Sequence, residues 1–347
     1  MARFDKARDI NVGVVGYGGA FNMGRQHLNE MRRAGMTPLA AADIDPERLK
    51  VAQADFPGIE TYTSAAAMLR KSEVNLVTII TPHNTHARLA LQCLAAGRHV
   101  CCEKPLAITT AECDRMIAAA KKNRVLLTTY HNRHWDGCIL EAVRQIKRQR
   151  VVGEVVRIEC HMGGYGKPGD SWRSSKSLSG GILYDWGAHL LEYSLQLIDS
   201  EIREVTAVSR RGFWARHTAW KQDTNEDEAF ALVRFRSGQW LTLHGTSIDA
   251  HPKGADRGQL EITGTRGTYI FSGGEYRIFQ REDGRTVTTS GRNPPSQGHK
   301  FYRNVADHLV KGTALVITAE WARRPIHILD LADQSARRGR ALKATYR

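Results

Sequence analysis

Leu76–Leu106 reads LVTIITPHNTHARLALQCLAAGRHVCCEKPL, a run of strand, turn, helix, turn, strand, turn. Leu76 to Ile80 is a β-rich apolar run of the kind buried on both faces of a parallel sheet. Thr81-Pro82 ends it, because proline has no N–H to give the ladder. Thr85 to Ala96 carries Ala87, Leu89, Ala90, Leu91, Cys93, Leu94 and Ala95, a helical pattern closed by Gly97. Arg98 to Cys102 is a second strand, ending on Glu103-Lys104-Pro105. The carboxyl ends of parallel strands share one edge, where open α/β sheets bind ligands. Thr81, Pro82, His83, Asn84, His86, Glu103 and Lys104 are therefore expected around one crevice, with Lys104 as its reactive group.

Working outward, Ile10 to Val15 is a first strand followed at once by Gly16-Tyr17-Gly18-Gly19. Ala20, Phe21, Asn22 and Met23 then lead into a helix. A strand, a glycine turn and a helix start form the seat of a dinucleotide pyrophosphate. Gly16 permits the tight turn, Gly18 the close approach of backbone to phosphate, and the helix N-terminus supplies N–H donors. The usual third glycine is replaced by Phe21, and Gly24 stands further on, as if the loop had gained three residues. Thr37 to Ile44 is the second strand. Asp43, 25 residues after Gly18, is placed to bind the adenosine ribose hydroxyls and to repel a 2′-phosphate, which favours NAD over NADP. Asp45-Pro46-Glu47 is a helix cap with proline at the first position. Val125 to Tyr130 makes a sixth parallel strand ending on His131, Asn132 and Arg133, again at the ligand edge.

The βαβ alternation stops near residue 130 and the grammar changes to a run of strands: 153–161, 204–211, 229–236, 240–247, 259–263, 267–272 and 277–280. The expected fold class is an N-terminal Rossmann parallel sheet followed by a C-terminal α+β domain with a large, mostly antiparallel sheet. The domains expected are 1–130, dinucleotide-binding, and 131–347, for substrate and oligomer contacts. Closing helices at 301–340 are expected to pack back on the first domain. Gly180-Gly181 introduces a helix on which Asp185 and His189, four apart, share a face.

At 347 residues the chain is long enough for two cores. It is 41% hydrophobic and 25% charged, as ordinary globular proteins are. No apolar run approaches the ~18 residues of a membrane span, and MARFDKARDINVGVVG passes from charge straight into a strand with no h-region. A cytoplasmic location is the expectation. Cys93, Cys101, Cys102, Cys113, Cys138 and Cys160 form no C-x-x-C pair and read as buried free thiols. The net charge of +14 is spread and mixed with acids. The densest run, Arg144 to Arg150, is read as a solvated helix face, so no nucleic-acid partner is expected. No zinc-like ligand spacing is present, and no metal is expected.

Four places in order, GYGG with Gly24 and His27, TPHNTH, Glu103-Lys104-Pro105 and Asp185-Trp186-Gly187-Ala188-His189, make the chain resemble the glucose–fructose oxidoreductase/inositol dehydrogenase (Gfo/Idh/MocA) family. The resemblance covers nearly the whole chain. It implies a Rossmann domain holding NAD(P) and an antiparallel sheet for substrate and oligomer contacts, in a homodimer or homotetramer. It further implies Lys104 at the reacting hydroxyl, His189 as acid/base, Asp185 as its partner, and Glu103 at the nicotinamide ribose, with the Lys-Pro bond often cis. Tyr130, His131, Arg133, Trp172, Arg173 and Trp186 are expected to line a sugar pocket, and Asn132 and Arg133 to reach the cofactor.

The expected reaction is hydride transfer between a secondary hydroxyl of a sugar, inositol or glycoside and the nicotinamide. An alternative is an NAD-retaining glycoside hydrolase or lyase that oxidises C3 transiently and eliminates the aglycone. A second alternative is a non-catalytic sensor that binds NAD and a partner.

Overall fold

The computed structural model describes residues 3–18, 21–251 and 259–345. The chain forms two compact units, one of residues 1–132 with 299–324, the other of residues 133–298 with 325–347.

In the first unit, strands β1 (Asn11–Val15), β2 (Thr37–Ala42), β3 (Glu60–Tyr62), β4 (Leu76–Ile79), β5 (His99–Cys102) and β6 (Leu127–Thr129) alternate with helices α1 (Met23–Arg33), α2 (Pro46–Asp55), α3 (Ala65–Lys71), α4 (His86–Ala95) and α5 (Thr110–Asn123). All the strand pairs are parallel, in the order β3-β2-β1-β4-β5-β6. The order reverses direction at β1/β4, the switch point beside which such sheets bind ligands. β4 and β5 are buried at every position, because helices cover both faces. Local chemistry sets the helix starts. The Asp45 carboxylate accepts from Glu47 N with Pro46 at the first position, and Thr109 forms a capping box with Glu112.

In the second unit, α6 (Gly137–Val143) widens into a π turn, Arg144–Arg148. Its Arg144, Lys147 and Arg148 are exposed, but Gln145 and Ile146 are buried, so the basic run is solvated on one side only. After β7 (Val155–Gly163) come α7 (Lys176–Ser179), α8 (Gly187–Leu197), β8 (Ile202–Arg210), β9 (Glu228–Phe235), β10 (Trp240–Thr246), β11 (Gln259–Gly264), β12 (Gly267–Phe271), β13 (Glu275–Glu282) and β14 (Arg285–Arg292). α9 (Lys300–Lys311) belongs to the first unit. α10 (Ala319–Arg338), with Pro325 inside it, runs from one unit into the other, and β15 (Leu342–Lys343) ends the chain. The second sheet has the order β14-β13-β12-β11-β7-β10-β9-β8-β15. It is antiparallel except at its centre, where β7 and β10 run side by side in the same direction. α8 and α10 lie in the apolar core of this unit, with Leu190, Leu191, Ile328 and Leu329 essentially inaccessible. All six cysteines are buried free thiols, as expected.

Candidate functional site

The first unit gathers its chemistry at the carboxyl ends of β1, β2, β4 and β5. Gly16 takes φ +100°, and a Cβ there would lie 2.4 Å from the Ile80 carbonyl oxygen, so only glycine lets the turn pass over the end of β4. Gly18 has open space above it. Gly24 fills the part of the absent third glycine: a Cβ there would lie 2.5 Å from the Tyr17 ring, so α1 can approach the turn closely. Asp43 follows the last residue of β2. One of its oxygens accepts Tyr17 N at 2.5 Å and the other accepts Asp45 N at 2.9 Å, so the carboxylate braces the glycine turn. Tyr17 in turn donates its hydroxyl to Asp55 at 2.8 Å, and burial with that carboxylate pushes the phenol pKa up. Phe21 is 64% exposed. Asn22 is also exposed and precedes α1 in the left-handed region, and Met23 opens the helix. Gly19 and Ala20, expected to complete the turn, lie outside the described residues.

β4 and β5 pair in register, Ile79 opposite Cys102, so the turns after them are neighbours. His86 joins the turns, with Nδ1 2.8 Å from Pro105 O and Nε2 2.9 Å from Thr81 O. Burial pulls its pKa down. The ring is fully buried and committed to backbone, so His86 holds the crevice from beneath instead of lining it. His83 is buried against it, ring centroids 5.7 Å apart. Thr81, Pro82 and Asn84 keep surface.

Glu103 is fixed by a relay that the sequence pattern did not reveal. Burial pushes its carboxyl pKa up, but the His27 hydrogen bond and the Lys104 charge outweigh burial and hold it below the ordinary value. The carboxylate therefore accepts from His27 Nε2 at 3.0 Å and from Lys104 N at 2.9 Å. Burial keeps the Tyr302 phenol protonated, and its hydroxyl donates to His27 Nδ1 at 2.6 Å. Tyr302 comes from α9, so α9 sets the orientation of a carboxylate at the end of β5. The Lys104–Pro105 bond is cis. The Lys104 side chain is half-buried beside Glu103.

Two expected pocket residues do other work. Tyr130 is 2% exposed. Its hydroxyl donates to Glu30 at 2.6 Å and its ring packs on His27, Phe301 and Tyr302. It is core, because the strand end turns its side chain onto α1 and α9 and away from solvent. His131 is likewise fully buried. Asn132, the next residue, is half-buried.

In the second unit, Asp185 does not stand on a helix. Gly180 and Gly181 take φ +92° and +125°, residues 182–186 form successive turns, and α8 starts only at Gly187. The spacing of Asp185 and His189 suggested one helix face, but the helix begins after Trp186 and leaves Asp185 on the last turn before it. Asp185 lies 3.9 Å from Arg173, whose guanidinium stacks 4.5 Å over Trp172. His189, 5% exposed, stands edge-on to Trp186 at 5.5 Å. Arg133 lies 4.8 Å over Trp186 and pairs with Asp136 at 2.9 Å. The same face of α8 then meets the 133–136 turn through Glu192–His134 at 2.5 Å and Tyr193–Asp136 at 2.6 Å. Arg133, Trp172, Arg173, Asp185, Trp186 and His189 thus form two adjoining clusters within this unit.

The glycine pair is held by charges that sequence reasoning missed. Lys176 binds Glu226 and Asp333, each at 2.8 Å, and Arg211 binds Glu226 at 2.8 Å. Glu226 also accepts Ile182 N at 3.1 Å. The desolvation of this carboxyl is outweighed by Lys176 and Arg211, and its pKa falls to about 2.

Residues 10–131 match the family model described as "Oxidoreductase family, NAD-binding Rossmann fold", and residues 140–270 match the GFO/IDH/MocA C-terminal domain. The chain belongs to the GFO/IDH/MocA family. It is 25% identical to the scyllo-inositol 2-dehydrogenase (NADP(+)) IolW of Bacillus subtilis, over 97% of this chain and 96% of that protein. It is 26% identical to the myo-inositol 2-dehydrogenase of Thermotoga maritima, over 74% of each. The NAD-binding protein from Listeria innocua has the same fold, with a TM-score of 0.77, 27% identity and 96% of both chains covered. The residues present fit the family's NAD: the backbone at Gly18 is open to an approaching phosphate, and Asp43 stands at the end of the neighbouring strand. Among the described residues no helix is long and apolar enough to cross a membrane, and no group of His, Cys, Asp and Glu is arranged to hold a metal ion.

Proposed function

We propose that this family member oxidises a secondary hydroxyl of a sugar, inositol or glycoside with NAD, or runs the reverse reduction. The observation that carries the reading is Lys104 at the end of β5, beside a carboxylate fixed by His27 and Tyr302, on the sheet edge that also bears the glycine turn. Bound there, NAD supplies the hydride acceptor. The Lys104 ammonium holds the reacting oxygen and stabilises the alkoxide charge that develops on it. His189 takes the hydroxyl proton, a contribution of roughly 10²–10⁴-fold for a positioned imidazole. Asp185, with Arg173 and Arg133, orients the sugar, and Trp172 and Trp186 offer it flat apolar faces.

On the cofactor side, the Gly16–Met23 turn takes the pyrophosphate. Asp43 takes the adenosine ribose, and its negative charge selects NAD over NADP. Ile44, 90% exposed immediately after Asp43, gives the adenine an apolar face. Thr81, Pro82, Asn84 and Asn132 line the nicotinamide end with His83 buried behind them, and Glu103 takes its ribose. Val156, Val208 and Phe230, apolar and exposed on the second sheet, support assembly through that sheet as a homodimer or homotetramer, which sedimentation measures.

The test is a panel of sugars, inositols and glycosides with NAD and then NADP, read at the NADH absorbance. Steady NADH release identifies net oxidation, whereas turnover without release identifies transient oxidation with elimination. Lys104→Ala should abolish turnover while NAD still binds. Turnover near that of the wild type would show the lysine assignment to be wrong.

A further inference from the structure

Residues 211–227 join β8 to β9, neighbouring antiparallel strands for which a connection of ~2–5 residues would suffice. This long arm carries Phe213, Trp214, His217 and Trp220. Asp227 holds the backbone at its start, and both of its tryptophans are held by their indole N–H groups. The Asp227 carboxylate accepts Phe213 N at 2.8 Å and Trp214 N at 3.0 Å. Trp214 Nε1 donates to Ser247 O at 3.0 Å, and Trp220 Nε1 to Ser171 O at 3.1 Å. Tyr165, 60% exposed, meets Trp214 edge-on at 5.7 Å, and Phe213, 40% exposed, does so at 4.7 Å. The Trp214 ring is thus fixed by its indole N–H, and the Tyr165 and Phe213 rings stand edge-on to it, partly in water. Lys167, Asp170, Arg216 and His217 lie exposed in the same two segments.

The place of this group is set by the sheet. Tyr165 bridges to Ile248 just past the ends of β7 and β10. Met162 and Gly245, three residues earlier on each strand, pack against Leu183 and Gly187, around the turns that carry Asp185. The other half of the arm grips the strap 170–179. Asn225 Nδ2 donates to Arg173 O at 2.7 Å and Asn225 N to Ser174 O at 2.9 Å. Asp223 accepts Ser177 N at 3.0 Å and Oγ at 2.8 Å, and also the Ser175 hydroxyl. One arm therefore presents the outer aromatics and braces the Trp172–Arg173 pair that faces Asp185.

An amphipathic aromatic surface with polar neighbours suits a ring that has an apolar C–H face and a polar rim. We propose that Tyr165, Phe213 and Trp214 form an outer subsite for a second pyranose ring, so that the substrate is a glycoside and not a free monosaccharide. The inference rests on the dehydrogenase reading above and names its substrate class.

The experiment compares full-length enzyme on matched pairs with NAD: methyl β-glucopyranoside against cellobiose, methyl α-glucopyranoside against maltose, and methyl β-galactopyranoside against lactose. In at least one pair the disaccharide should have a kcat/KM about tenfold above the methyl glycoside, carried by KM, as one or two aromatic contacts provide. Trp214→Ala and, separately, Tyr165→Ala should bring that ratio near one. Equal values within every pair overturn the subsite, as does a ratio that survives both substitutions. Oxidation of inositols or monosaccharides with none of any disaccharide overturns the subsite and leaves the dehydrogenase reading standing. No oxidation of any sugar overturns both.

Discussion

Replacing Glu226 by glutamine isolates what one buried carboxylate does for the second unit. Its pKa is about 2 against an ordinary 4.5, and the residue is 5% exposed. The difference of about 2.5 units corresponds to roughly 3 kcal/mol at ~1.36 kcal/mol per unit. Because the folded pKa is depressed, this stabilisation is complete above about pH 4.5 and disappears as the pH falls toward 2. Glutamine keeps the size of the side chain and an oxygen for Ile182 N–H, but it removes the charge facing Lys176 and Arg211. Lys176 retains Asp333, so the loss should be smaller than the ~3–5 kcal/mol of a fully orphaned buried ion. We expect about 2–3 kcal/mol. Glu226→Ala also frees Ile182 N–H and with it the turns leading to Asp185 and His189, so kcat should fall about tenfold more than in the glutamine variant while NAD affinity stays unchanged. Urea unfolding followed by tryptophan fluorescence at pH 7, 5 and 3.5 measures the stability term. Wild type should lose stability more steeply than Glu226→Gln below pH 5. Parallel pH slopes, or a glutamine variant within ~0.5 kcal/mol of wild type at pH 7, would refute the reasoning.

His99 should produce a separate acid sensitivity in the first unit. Burial lowers its pKa to about 4, and its Nδ1 accepts Leu126 N at 2.9 Å, a bond that protonation removes. Its depressed pKa means stability falls from about pH 6.5 to 4, by at most ~3 kcal/mol, and His99→Asn should flatten that slope in urea titrations. Gly16→Ala should eliminate NAD binding, measured by NADH fluorescence, since its Cβ would collide with the Ile80 carbonyl at a φ of +100°. Asp43→Ala should raise the KM for NAD about tenfold and narrow the preference over NADP, because the ribose acceptor and the brace on Tyr17 N are lost together. Unchanged cofactor kinetics would remove Asp43 from the ribose site.

Much of the first sheet was legible because its signals are local. Leu76 to Ile79 reads as a strand buried on both faces, and the turns at Gly16 and Glu103 fall at the strand ends where the pattern put them. What escaped were matters decided by residues far apart. The end of a strand can be read from the sequence, but the side to which Tyr130 or His86 turns depends on what packs there, Glu30 and Phe301 in one case and two backbone carbonyls in the other. The role of His27 depends on Tyr302, nearly the whole chain away. Asp185 and His189 have helical spacing, yet successive turns over 182–186 delay the helix to Gly187 and leave the first of them outside it. β14 has no buried face to give it a period: Arg285–Arg292 is an edge strand largely in water, and only its threonine and valine content hinted at pairing.

The side-by-side placement of β7 and β10 also orders the assembly of the second sheet. β11 to β14 form a meander of short hairpins, and β9 and β10 form another short hairpin, to which β8 is joined through the long arm 211–227. Each can zip from its own turns, whereas Arg157 must find Trp240, some eighty residues downstream, and the entropy of closing so long a loop slows that step. The short hairpins should therefore gain protection first and the seams that β7 makes with β10 and β11 last. Pulse-labelled hydrogen exchange during refolding would record this as late protection of the β10 amides that donate to β7, and newly made chains would stay catalytically silent until those seams closed.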